Sequence, residues 1–391
     1  MYLILACFVI LTNHVASTST EEPVGSGPPG RAMLHYNQKS FDPRPRVVVR
    51  FAGDGQPKLF SLLLDSGSNL NYVFALEGWM KFYASRAPKE MAAVSDGYLH
   101  TGEAPLTDGP RLLMFGTAQR PWSVLCSGQV DENVILYSSA REDKPALEFR
   151  ARFDLSRAIA NPQNGSGTLG AAKSSDFARA AGVFAYMPSR KRYSPLNPVY
   201  AGQLIFREDR ISAMAESNCV GGSSGLKFFD TVGGREETHW LVAGSSRAGN
   251  LGRAYEMTWA IDTGAPGTLI PQSTYDDLIA LISATGARPI TNSVQIENCP
   301  GDYKDVFPNL SFTIGSMDIK LAPADYIVDY INESRICLML VFAGHRKHGP
   351  NGGILGTGVL AKMFTVLDKT NDRIGVCPLT PSPPAFHQIR F

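Results

Sequence analysis

Asp65 and Asp262 stand in near-duplicate settings, Leu63-Leu64-Asp65-Ser66-Gly67-Ser68 and Ala260-Ile261-Asp262-Thr263-Gly264-Ala265. In each, an apolar run ends in a carboxylate, followed by a small hydroxyl residue and a glycine. The two acids lie 197 positions apart, about half of the 391-residue chain. A carboxylate at the end of a buried strand is costly to leave ionised and unpaired. Two of them in duplicated settings are expected to meet and share one proton, because like charges held close together cannot both ionise. Such a pair can take a proton from water and give one to a carbonyl oxygen. That is general acid–base catalysis without a covalent intermediate. Gly67 and Gly264 would let each backbone turn sharply and approach its neighbour closely. The hydroxyls of Ser66 and Thr263 would bond across to the opposing loop and fix one acid against the other.

Other constellations are weaker. Gly221-Gly222-Ser223-Ser224-Gly225 has the spacing of a serine-hydrolase nucleophile turn, which needs a strong strand before it and a helix after it. Its flanks supply neither, so it reads as a linker between halves. Matches to the dinucleotide fingerprint at Gly25–Gly30 and Gly165–Gly170 lack a preceding strand, and Gly356–Ala361 lies too near the C-terminus to open a βαβ unit. His345-Arg346-Lys347-His348 has no Cys or carboxylate at ligand spacing, so neither metal nor cofactor is expected. Arg190-Lys191-Arg192, between Pro188 and Pro195, reads as a solvated loop, with a processing nick as the less favoured reading.

The acids need strands to carry them. Arg46–Phe51 and Leu59–Leu64 read as a hairpin feeding Asp65, turned at Gly53-Asp54-Gly55. After Asp262, residues 271–282 predict a helix capped by Ser273 or Thr274. Leu310–Ile314 alternates as a half-buried strand should, and Phe364–Asp368 with Arg373–Cys377 makes a late hairpin. Residues 120–220 carry a poorer signal and predict no definite element. Ala181–Ala185 and Gly353–Gly356 are apolar–glycine runs downstream of each acid, suggesting that each half pairs an acid loop with a glycine-containing strand.

The chain is long enough for two cores. Its 37 basic and 36 acidic residues give no field that would recruit nucleic acid or an anionic membrane. Tyr2–Leu11 is apolar but too short to span a bilayer, and Val15 and Ser17 give a small-residue cleavage frame, so residues 1–17 read as a signal peptide. Residues 18–44, rich in Ser, Pro, Gly and charge, read as a flexible leader or short propeptide without a core of its own. The N-terminal half is set at 45–220, the C-terminal half at 221–380 and a tail at 381–391. A secreted or lumenal compartment (endomembrane, lysosome or vacuole) permits disulfides. Removing Cys7 with the signal leaves five cysteines, so at least one is free or intermolecular. Asn164, Asn309 and Asn332 begin glycosylation sequons.

The paired Asp-Ser/Thr-Gly motifs, Gly353-Ile354-Leu355-Gly356 and the final hairpin resemble the two-lobed, pepsin-like aspartic peptidases over roughly residues 45–380. That resemblance implies an all-β bilobal fold around a cleft. It implies an aspartic endopeptidase, a monomer without a membrane anchor after signal removal, cutting extended polypeptide between apolar residues. It assigns catalysis to Asp65 and Asp262, and support to Ser66, Gly67, Ser68, Thr263 and Gly264. It makes Phe115-Gly116-Thr117 the flap, with a phenyl ring where the family has tyrosine, and puts Tyr72 where the family has tryptophan. Cys299 and Cys337 bracket the segment of the family's C-terminal-lobe disulfide, while Cys126, Cys219 and Cys377 stay unassigned. Thr357 stands where an Asp is usual. Ala265 replaces a usual Ser or Thr whose hydroxyl bonds the carboxylate, a role Ser68 would keep for Asp65. Loss of that bond would raise the lower pKa of the pair and predict a less acidic activity optimum. The altered flap, Ala265 and short leader leave one alternative from another class, a pepsin-fold binding or inhibitory protein.

Overall fold

The structure, a computed structural model, describes residues 31–35, 44–52, 59–74, 111–117, 120–137, 145–159, 167–189, 201–250, 252–290, 294–331, 333–344 and 352–381. The signal peptide, Arg190–Arg192, His345–His348, Asn164 and Asn332 lie outside the described residues.

The N-terminal half contributes β1 (Arg31–His35), β2 (Arg46–Phe51), β3 (Phe60–Asp65), β4 (Tyr72–Phe74), β5 (Arg111–Thr117), β6 (Arg120–Tyr137), β7 (Pro145–Ile159), β8 (Gly167–Gly170), β9 (Val183–Pro188) and β10 (Gly202–Phe206). The rest of the chain contributes β11 (Lys227–Asp230), β12 (Leu241–Ala248), β13 (Tyr255–Ile261), β14 (Thr268–Ile270), β15 (Arg288–Pro289), β16 (Gln295–Glu297), β17 (Leu310–Ile314) and β18 (Met317–Leu321). It closes with β19 (Ile327–Ile331), β20 (Ile336–Met339), β21 (Val341–Ala343), β22 (Gly352–Leu355), β23 (Met363–Asp368) and β24 (Arg373–Pro378). The expected all-β architecture holds.

A 13-stranded sheet runs β11-β24-β23-β9-β10-β1-β2-β3-β8-β4-β7-β6-β5. Three strands from the C-terminal half therefore pair into the sheet of the N-terminal half, and β23 meets β9 directly, Leu367 opposite Phe184. The second sheet, β18-β17-β12-β13-β22-β14-β21, belongs to the C-terminal half alone, as does the small sheet β15-β16-β20-β19. Alternation explains much of this. In β17 Leu310, Phe312 and Ile314 face inward and Ser311 and Thr313 do not, as a strand with one covered face requires.

Two features correct the sequence reading. Residues 31–35, assigned to a leader without a core, form β1, with Ala32 and Leu34 buried in the main core. The glycine-containing partner of the first acid strand is not Ala181–Ala185 but β8, which runs parallel to β3 with Asp65 beside Gly170. Its counterpart is β22, parallel to β13 with Ile261 beside Leu355. Val183–Pro188 instead joins the shared sheet as β9. The helix after Asp262 spans Gln272–Ser283, yet Pro271 occupies its N-cap without a side-chain bond. Thr274 is buried, and its Oγ1 pairs with Ser246 Oγ at 2.8 Å.

Two disulfides tie the fold. Cys299–Cys337 staples β20 to the segment after β16, and Cys219–Cys377 links the helix Glu208–Asn218 to β24. Cys126 lies buried in β6 and belongs to neither bridge. On the chain-entropy model, loops of this length contribute about 4–5 kcal/mol each. A charged tie joins the two halves. Lys173, fully buried after β8, donates to Thr231 Oγ1 at 2.8 Å and Gly234 O, and pairs with Asp372 in the β23–β24 turn. Burial works against the Asp372 carboxylate, but the bonds from Lys173 and Thr231 outweigh it and hold its pKa below the ordinary value.

Candidate active site

Each acid ends a core strand. Leu62 and Leu64 of β3 are buried, as are Trp259 and Ile261 of β13, so burial fixes both strands and projects Asp65 and Asp262 from their ends. Both loops then turn identically, Ser68 N donating to Asp65 O and Ala265 N to Asp262 O, each at 3.3 Å. The neighbouring glycine strand closes each loop. Ala172 N donates to Ser68 O, and Thr357 N to Ala265 O, both at 3.0 Å.

Four reciprocal bonds lock one loop onto the other. Ser66 N donates to Thr263 Oγ1 at 3.1 Å, and Thr263 N to Ser66 Oγ at 2.9 Å. Ser66 Oγ in turn donates to Ile261 O at 2.9 Å and Thr263 Oγ1 to Leu64 O at 2.7 Å. Each hydroxyl is buried and uses both its donor and an acceptor lone pair on the opposite strand end. The glycines admit the approach. A methyl group on Gly67 would collide with the carboxyl of Asp262, and one on Gly264 with that of Asp65. The structure thus brings Asp65, Ser66, Gly67, Asp262, Thr263 and Gly264 together, and the two carboxyls hydrogen-bond each other.

The two acids are held differently. Asp65 Oδ1 accepts from Gly67 N at 3.0 Å. Asp262 Oδ1 accepts from Gly264 N at 2.8 Å and Ala265 N at 3.1 Å. Ser68 Oγ, expected to serve Asp65, instead accepts from Leu70 N at 3.1 Å within its own loop. Burial raises both carboxyl pKa values above the ordinary range, and the negative charge of Asp262 pushes Asp65 further up. The bond from Asp65 and the amides of Gly264 and Ala265 pull Asp262 back down. Proton and charge are therefore distributed unequally. The Asp65 carboxyl is raised further than that of Asp262.

Tyr72 lies buried on β4, its phenol bonded to the Thr168 side chain and pushed up to about 12, chiefly by burial, so it is neutral beside Asp65. Phe115-Gly116-Thr117 ends β5 in a hairpin with β6, Phe115 opposite Trp122 and Gly116 opposite Pro121. Their side chains lie outside the described residues. Asn71, which sequence reading did not single out, also supports the site. Its Oδ1 accepts from Gly170 N at 2.9 Å and its Nδ2 donates to Arg152 O at 3.0 Å, tying the Asp65 loop to β8 and β7. Thr357 does the same in the other half, Oγ1 donating to Pro266 O at 2.9 Å. Among the described residues, no group of three or more His, Cys, Asp or Glu is placed to hold a metal ion.

Residues 242–379 match the family model Eukaryotic aspartyl protease. Cathepsin E-B of Xenopus laevis is 27% identical over 131 residues, 33% of this chain and 31% of that protein. Renin of Ovis aries is 30% identical over 117 residues, 29% of this chain and 28% of that protein. These matches span less than a third of the curated relatives' length. The crystal structure of an aspartic proteinase from Irpex lacteus superposes with a TM-score of 0.64 at 17% identity, covering 90% of this chain and 97% of that one. At that identity the likeness shows the fold.

Proposed function

We propose that this chain, a member of the pepsin-like aspartic peptidases by family match and fold, is an endopeptidase in which Asp65 and Asp262 activate a water molecule to hydrolyse peptide bonds. The observation that carries the reading is the reciprocal Ser66–Thr263 lock, which holds the two buried acid loops, and with them the two carboxyls, against each other. In the resting pair Asp262 accepts the proton of the attacking water, while Asp65 gives its proton to the scissile carbonyl oxygen. Tyr72, neutral beside Asp65, adds no competing charge. The substrate is extended polypeptide, with apolar residues flanking the cut. Two disulfides and the exposed sequon residue Asn309 fit a secreted or lumenal protein. Among the described residues no helix is long and apolar enough to cross a membrane.

The test is digestion of a denatured protein from about pH 3 to about pH 7, with and without a statine-type transition-state analogue, comparing wild type with Asp262→Asn. Loss of one catalytic carboxylate is expected to lower kcat/KM by about 10³-fold or more. An absence of cleavage at every pH would overturn the reading in favour of a binding protein.

A further inference from the structure

Arg44 stands at the acid pair although nothing in the proposed chemistry calls for a guanidinium. In the antiparallel ladder of β2 and β3, Arg46 faces Leu63, Val47 faces Leu62 and Val48 faces Ser61. Carried two residues further, that register sets Arg44 opposite Asp65. Pro45 fixes the extension. Its carbonyl accepts from Leu64 N at 3.0 Å, its ring sets its own φ, and a residue before proline is driven to extended backbone. The Arg44 side chain then crosses to the other half, where Nη1 lies 3.5 Å from Gly264 O. Gly264 is the residue packed against the Asp65 carboxyl. The backbone of Arg44 is thus placed by one acid loop and its guanidinium by the other.

We propose that Arg44 is a positioning residue for the shared proton, its charge beside both carboxyls keeping the pair singly ionised in acid. This rests on reading Asp65 and Asp262 as an acid–base pair. Burial alone pushes both carboxyls upward. A positive charge beside the pair favours its singly ionised form, and so extends toward lower pH the range in which one oxygen is ionised. Few groups face it. Tyr72 on β4 is neutral there, and Arg46 on β2 donates to Ser61 O at 3.3 Å and acts on Tyr72. From the C-terminal loop come the amides of Gly264 and Ala265. Among the described residues, Arg44 is the cation that lowers Asp65 and Asp262 alike.

Carboxyl-13C aspartate labelling of the full chain reads this without turnover, with Asp65→Asn and Asp262→Asn assigning the two signals. Arg44→Gln is expected to raise both apparent pKa values of the pair by about half to one unit, as removal of a partly solvated charge at this range should. Arg44→Lys restores most of the difference. In the pH–rate profile both limbs of Arg44→Gln move to higher pH together, whereas a purely structural residue would change kcat or KM and leave the limbs in place. Unmoved carboxyl titrations in folded Arg44→Gln overturn the proposal, as does an Arg44→Lys shift equal to that of Arg44→Gln. Should Arg44→Gln fail to fold, Arg44→Met, which keeps an apolar stem, is titrated in its place. Shifted carboxyls in a protein that cleaves nothing would refute the peptidase and not Arg44; unmoved carboxyls in an active peptidase would refute Arg44 alone.

Discussion

The two halves build the same acid loop from different materials. In the C-terminal half the loop of Asp262 gives its carboxylate two backbone amides, is closed by Thr357, and lies in the stretch that the family model matches. In the N-terminal half the loop of Asp65 gives one amide, spends Ser68 on its own turn and leans on Asn71 to reach the glycine strand. The family match does not extend over it, yet the backbone geometry is retained. What persists is the short list of atoms that must meet: two hydroxyls, two glycines and two carboxyls. The surrounding side chains are free to differ because a backbone amide can replace a side-chain donor at a carboxylate.

If the halves are equivalent in the lock, Ser66→Ala and Thr263→Val should be equally damaging. Each removes two cross-loop bonds and leaves a buried amide and a buried carbonyl without a partner, at about 1–3 kcal/mol per group. A displacement of the carboxyls by as little as about 1 Å is expected to lower kcat/KM by about 10²-fold. Urea midpoints and steady-state kinetics check both, and a tenfold difference between the two variants would break the symmetry.

A smaller effect should separate the acids. A carboxyl whose folded pKa is raised contributes stability that is complete below its unfolded pKa and is lost as pH rises through the folded one. Asparagine escapes that loss. Asp65→Asn should therefore melt a few degrees above wild type near neutral pH, with about no difference near pH 3. Asp262→Asn should gain less, because its carboxyl is raised less. Melting curves at the two pH values decide it, and the reverse order would exchange the roles of the two acids.

The least change is expected at Ala265. The missing hydroxyl was the reason to expect a less acidic optimum, but the amide of Ala265 already donates to Asp262. Ala265→Thr should move the acidic limb of the pH–rate profile downward by about half a unit or less. A limb that does not move would show the amide to be sufficient.

The acids, the Arg46–Leu64 hairpin, the Leu310–Ile314 strand and the closing hairpin were legible because each pairs a clear period with turn residues. The partner strand β8 was not. All four of its residues are buried, so it shows no alternation, and only its match to Gly353-Ile354-Leu355-Gly356 in glycine and leucine positions could have revealed it. The long strands β6 and β7 escaped because register shifts at Leu125–Gln129 break their period. β1 was hidden by the Pro- and Gly-rich residues before it. The Cys219–Cys377 bridge joins residues 158 apart, and pairing over such a separation cannot be read from spacing.

That bridge also determines how the molecule comes apart when cut. A single break anywhere between residues 219 and 377 leaves both pieces covalently joined through the sulfurs, so a nicked chain migrates at full mass until it is reduced. A break on the N-terminal side of Cys219 has no such insurance from it, and the pieces stay together only through hydrogen bonds and packing such as those of β1, β9 and β10 with their neighbours. Loops of the C-terminal half can be clipped and remain attached, while a clip before Cys219 can release a fragment.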